Sequence, residues 1–221
     1  MEHKMTSGKI SSTILKFAAP ILIGQILQQL YNIIDSIIVG RYIGVEALAA
    51  VGATWSLSYI VCYFCIGTCM GISVPLSQEY GAGNMKRIKE GLGCTVKMGI
   101  LYSLAVIVII FFAGDFLALL FVNADNMVVI GYTRKFLFYI SFFHLELAVL
   151  FAFRYCVQGM GYGRFSIYSG TAEMLGRALV AIFLVPVFGF EAVCWNEGVT
   201  FLAGIAVIVP LYFWIERKFI E

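Results

Sequence analysis

Six polar residues in the first long apolar stretch, Gln25, Gln28, Gln29, Asn32, Asp35 and Ser36, could do chemistry together. Advanced by about 100° per residue around a helix, they fall within an arc of about 120°. Ile26, Leu30, Ile33, Ile34, Ile37 and Ile38 cover the opposite side. A stripe this long that ends in a carboxylate must face a bundle interior or a water-filled cavity, because ionisable groups are costly in lipid. Asp35 could there exchange protons or meet a cation. The plainer alternative is a carboxylate held by neighbouring amides and by Tyr31. The length of the stripe favours a cavity over a single satisfied pair, with Tyr31 among the lining candidates.

Other reactive residue types are scattered along the chain. Glu146 sits near the middle of an apolar stretch with no basic residue one turn away. It suits either a proton carrier lining a cavity or an acid hydrogen-bonded to another helix. His144 lies about 200° from it around the same helix and reads as a packed histidine. Glu173 and Arg177 are spaced i, i+4 with the acid first, the favourable order for an ion pair. They read as a structural lock or, equally, as part of a substrate site. Cys62, Cys65 and Cys69 share helical spacing, but no histidine or carboxylate nearby in sequence completes a metal set. They read as small packing residues, and no metal is expected. Gly67 and Gly71 suggest a close-approach face on the same helix. Asp115 is assigned no role. No Ser/His/Asp arrangement or catalytic pair of carboxylates can be assembled, so no enzyme is expected.

These residues need a scaffold, and composition says which kind. Of 221 residues, 61% are hydrophobic and 13% charged, with a mean hydropathy of +0.92. Soluble domains carry about 25% charged residues. So little polar surface leaves a membrane as the solvent. The net charge of +2 gives no footing for nucleic acid. Six cysteines without loop-rich spacing do not form a disulfide framework. A membrane helix needs about 20 apolar residues, and six stretches qualify: 17–39, 47–74, 96–121, 136–157, 167–188 and 193–214. No ten-residue alternation supports a barrel, and the first stretch is too long for a cleaved signal peptide. The expectation is an all-α integral membrane protein with six transmembrane helices, a 1–16 leading segment and a 215–221 tail. Eleven of the fifteen Lys and Arg residues fall on one side of these spans if the N-terminus is cytoplasmic. By the positive-inside bias both termini face the cytoplasm. In the polar connection 77–93, Met85, Ile88 and Leu92 suggest a short helix lying on the inner membrane surface. Residues 123–126 read as an outer turn.

Residues 28–41 (QQLYNIIDSIIVGR), 44–52 (GVEALAAVG) and 77–83 (SQEYGAG) resemble the multidrug and toxic compound extrusion (MATE) family. The resemblance implies a cation-coupled exporter that exchanges Na⁺ or H⁺ for amphipathic, often cationic, compounds across the cell (inner or plasma) membrane. It implies no cofactor beyond that coupling ion. It also implies twelve helices in two six-helix lobes around a central cavity, of which six spans make one lobe. Asp35 matches the family's coupling-cation position, and Asn32 would line the same pocket. Gln158 to Gly161, Glu173 with Gly176 and Arg177, and Gly189 to Cys194 look more like the family's second lobe. A half-length or internally deleted member, joined near residues 85–95, is therefore expected.

Three functions compete on this reading: a drug-exporting lobe that pairs with a second copy or second lobe; a lipid-linked oligosaccharide flippase of the same superfamily; and a non-transporting fragment or partner subunit. The implied role of Asp35 is testable. Asp35→Asn is expected to abolish cation-driven efflux of a fluorescent substrate from vesicles at unchanged expression; unaltered efflux removes the assignment.

Overall fold

The computed structural model describes residues 10–121 and 127–220, with some side chains in this range, Gln28, Tyr31, Asn32 and Asp35 among them, left out. Its helices are α1 (Ile10–Tyr42), α2 (Val45–Gly81), α3 (Met85–Phe121), α4 (Met127–Gly159), α5 (Phe165–Leu179), α6 (Val185–Phe188) and α7 (Phe190–Ile220). One π-helical turn, Val180–Leu184, joins α5 to α6 into a single span, Phe165–Phe188. No strand occurs among the described residues. Among the described residues, five spans within α2 to α7 are long and apolar enough to cross a membrane, and α1, 33 residues long, carries a shorter apolar stretch, Ile14–Ile26. The 123–126 turn lies outside the described residues.

The turns are short and chemically specified. Between α2 and α3, Gly83 takes φ +76°, a conformation that costs other residues about 1–2 kcal/mol. Asn84 follows as the N-cap of α3, its Oδ1 accepting from the Arg87 amide at 3.3 Å. Helix α3 therefore starts at Met85, and the expected separate surface helix does not form. Its apolar residues Met85, Ile88 and Leu92 are instead buried against Leu76, Leu150 and Ile208. The i, i+3, i+7 pattern was a core face, not a membrane-surface face.

Helix α4 is the hub. Half of its span is buried, against a third or less of the others. It packs on α2, α3 and α7 and also touches α5, while α1 lies mainly on α5. The result is a ring of α1, α2, α4, α7 and α5, with α3 outside it against α2 and α4. Two apolar clusters close the ring at its ends. One gathers Leu147, Leu150, Phe151, Cys156, Ile208 and Tyr212; the other gathers Val39, Val51, Phe136, Val185, Phe190 and Val193. Outward-facing Leu101, Phe112 and Phe116 of α3 and Phe183 and Val187 beyond α5 give the bundle its lipid-facing surface.

Close helix approach occurs where glycine meets a neighbour's backbone or a small side chain. A Cβ on Gly99 would lie 2.7 Å from the Ala148 methyl, and one on Gly159 would lie 2.7 Å from the Ser73 carbonyl oxygen. Gly67 and Gly71 are not such seams within this chain: both are exposed, with nothing within 4 Å of an added Cβ. Because backbone has little room to move aside, Gly159→Ala should destabilise the fold by about 1–3 kcal/mol. Gly131→Ala, in open space on the same helix, should be neutral or slightly stabilising through helix propensity. Thermal unfolding in detergent distinguishes the two; equal midpoints would show that the α2–α4 contact at Gly159 is loose.

Candidate functional site: a mid-span cavity with a charged wall

A cavity of about 190 Å³ lies inside the helix ring, between the two apolar clusters. The α2 side is an aromatic ladder at i, i+4, i+8: Trp55, Tyr59 and Tyr63, with neighbouring ring centroids 6.2 and 5.5 Å apart. Opposite it, α4 contributes Phe136, Ile140, His144, Leu147, Phe151 and Tyr155. Gln25 and Gln29 of α1 form the exposed rim. Glu173 and Arg177 of α5 and Glu197 and Phe201 of α7 supply the last wall.

The charges of that wall are tied across helices. Arg154 of α4, 6% exposed, donates to the Glu173 carboxylate and, at 2.8 Å, to Ser169 Oγ. Ser169 Oγ lies 3.1 Å from Glu173 Oε1 and 3.3 Å from the Gly204 carbonyl. Gly204 is required there, since a Cβ would sit 2.8 Å from Glu173 Oε1. Arg177 donates to Glu197 Oε2 at 2.9 Å. Each residue of the expected α5 pair reaches a neighbouring helix: Glu173 holds Arg154 of α4, and Arg177 holds Glu197 of α7. Arg154, Glu173 and Arg177 sit where water is scarce, and charged partners on other helices balance them while fastening α5 to its neighbours.

The other sequence candidates separate. Gln25 and Gln29 line the cavity. Ser36 lines a neighbouring pocket between α1 and α2, which shares Gln29 and Trp55 with it. Glu146 does not line the cavity; about 200° around α4 from His144, it sits on the far side of the helix. Gln28, Tyr31, Asn32 and Asp35 fall outside the described residues. Sequence reasoning missed Trp55, Ser58, Tyr59, Tyr63, Arg154 and Glu197. The i, i+4 aromatic repeat was a usable signal for three of them. Arg154 was counted with the cytoplasmic-side charges, although the spans together carry two buried bases and two acids that can neutralise one another.

The comparisons with known proteins now bear on this arrangement. Residues 20–183 match the model of the family described as MatE. The chain belongs to the MatE family. It is 27% identical over 220 residues to the probable multidrug resistance protein YoeA of Bacillus subtilis (strain 168), covering 98% of this chain and 47% of that protein. It is 22% identical to the probable multidrug resistance protein YpnP of the same organism, over 99% of this chain and 48% of that one. The fold resembles a structure described as the outward-facing conformation of a multidrug resistance MATE family transporter of the MOP superfamily. There the TM-score is 0.77 at 17% identity, over 93% of this chain and 45% of that one. The chain thus spans about half the length of the curated relatives it matches and has the fold of one MatE lobe. The alignment with YoeA takes in nearly the whole chain and about half of that protein, which fits a half-length member.

In this MatE lobe the two cross-helix pairs differ in burial: Arg154 and Glu173 side chains are 7% and 1% exposed, whereas Glu197 is 22% exposed. Arg154→Met should therefore cost about 3–5 kcal/mol by removing a buried counter-charge of Glu173. Arg154→Met combined with Glu173→Gln should recover most of it. Folded yield and thermal midpoint in detergent read this out; a single variant as stable as the parent would remove the pair from the stability argument.

Proposed function

We propose that this chain is one lobe of a Na⁺- or H⁺-coupled antiporter that exports amphipathic, mainly cationic compounds, working as a pair of lobes. The observation that carries this reading is the mid-span cavity itself. An aromatic ladder offers π faces to a flat lipophilic cation, beside a wall in which Arg154 and Arg177 balance Glu173 and Glu197. Asp35 and Asn32 are the coupling-cation residues in this reading, on the helix whose Gln25 and Gln29 rim the cavity. The membrane is the cell (inner or plasma) membrane, with both termini cytoplasmic. Lipid and small substrates are the partners, and nucleic acid is not.

The second lobe is a second copy of the chain. A polar stripe on α1 needs a wet or polar neighbour, and lipid contact would cost several kcal/mol in unmet hydrogen bonds. Two copies with the same orientation pair naturally about a two-fold axis along the membrane normal. Exposed Gly67 and Gly71 supply a smooth helix face for such a neighbour. The half-length match to YoeA and YpnP favours one other reading, a non-transporting partner of a longer relative. The flippase reading fits less well, because among the described residues Arg177 is the one guanidinium lining the cavity, and it faces Glu197.

Reconstituted vesicles with an imposed Na⁺ or proton gradient test the proposal, with a fluorescent lipophilic monocation as probe. Gradient-driven probe movement is expected from a particle of two copies. Tyr59→Leu is expected to weaken probe binding about tenfold, or ~1.4 kcal/mol, without unfolding the lobe. Transport by a strict monomer overturns the paired arrangement. A dimer that moves no probe under either gradient overturns the exporter.

A further inference from the structure

Cys62 lies on the cavity face of α2, one turn beyond Ser58. His144 lies across from it on α4 and is 2% exposed. The two are 82 residues apart in sequence, and the fold brings Sγ of Cys62 to 3.5 Å from Nε2 of His144. The other ring nitrogen, Nδ1, is 2.7 Å from the Ile140 carbonyl oxygen. A carbonyl only accepts, so Nδ1 carries the proton and Nε2 presents its lone pair to the thiol.

We propose that Cys62 and His144 form a binding site for a soft divalent cation, Zn²⁺ or Cd²⁺, in the wall of the cavity. The geometry matches such an ion. With a metal–sulfur bond of about 2.3 Å and a metal–nitrogen bond of about 2.0–2.1 Å, two ligands 3.5 Å apart subtend an angle of about 105–109° at the metal. That is the tetrahedral value. A metal-bound histidine characteristically donates its other N–H to a backbone carbonyl, which fixes the ring and its tautomer. The Nδ1 contact with Ile140 already provides this. A thiolate with an imidazole selects Zn²⁺ and related soft ions over Mg²⁺ or Ca²⁺, which want oxygen ligands.

The rest of the coordination sphere is open. Among the described residues no third His, Cys, Asp or Glu completes a cluster, so two positions fall to water within the cavity. Ser58 Oγ lines that cavity, belongs to a residue 8% exposed, and has no hydrogen-bond partner among the described residues. It is placed to accept from a metal-bound water. Cys65 and Cys69, 2% and 1% exposed, pack in an apolar cluster and do not line the cavity. On binding, the Cys62 thiol loses its proton to cavity water, its sulfur lone pair forms the metal bond, and His144 keeps the proton on Nδ1. Metal uptake therefore releases one proton per ion. None of this depends on what the lobe exports.

The experiment uses the purified full chain in detergent and Cd²⁺ alone as probe. In a Cys94→Ser background, which removes the exposed thiol, one Cd²⁺ per chain should produce a thiolate-to-metal charge-transfer band. Cys62→Ser should abolish the band, and His144→Gln should weaken Cd²⁺ binding at least tenfold. Where a variant folds poorly, a second measurement on the native sequence decides. Cd²⁺ should slow maleimide alkylation of Cys62 at least tenfold, counted by peptide mass spectrometry, and leave Cys94 less protected than Cys62. A band that survives Cys62→Ser, binding unaffected by His144→Gln in a folded variant, or alkylation of Cys62 indifferent to Cd²⁺ would each overturn the site.

Discussion

Charge that has left water must find its counter-charge inside the protein, and the pairing of Arg154 with Glu173 is the contact on which this bundle turns. It joins α4, the most buried helix, to α5, which otherwise meets it only slightly. Ser169 and the Gly204 carbonyl complete the shell around the carboxylate, so α7 is drawn into the same arrangement. Helix α1 leans on α5 in turn. The cavity exists because this polar seam holds the ring open at mid-span while apolar clusters close its two ends. An all-apolar seam would be free to collapse into the space.

The same constraint explains which parts of the molecule were legible in the sequence. Six apolar stretches follow from composition alone, because a span has to be hydrophobic wherever it packs. Their ends were less legible. The helices continue past the apolar windows into polar residues, as α3 does from Met85, because backbone hydrogen bonding does not stop where lipid stops. Pairings between helices were least legible. The i, i+4 spacing of Glu173 and Arg177 is a true local signal, yet each residue has a close partner on another helix. Sequence spacing carries no information about which helices are neighbours.

Glycine spacing failed for a related reason. Gly67 and Gly71 have the pattern of a packing face but stand exposed, whereas Gly99, Gly159 and Gly204, with no such pattern, are the positions where neighbours press in. What decides is the partner surface, and it lies on another helix. Cys62 and His144 repeat the lesson. Each was read alone as a packing residue, and only the fold sets sulfur beside nitrogen.

The π-helical turn at Val180–Leu184 has a consequence for the whole fifth span. Buried Ser169, Glu173, Arg177, Ala181 and Val185 recur every four residues. On a regular α-helix of 3.6 residues per turn, a period of four drifts about 40° each turn, so Val185 would stand about 120° away from Glu173. The wide turn absorbs one residue's worth of that drift, about 100°, and returns the stripe to its starting azimuth. It acts as a phase correction: the half of the span that carries charge and the half that carries the apolar seal face the same way, although their sequence period and the helix period disagree.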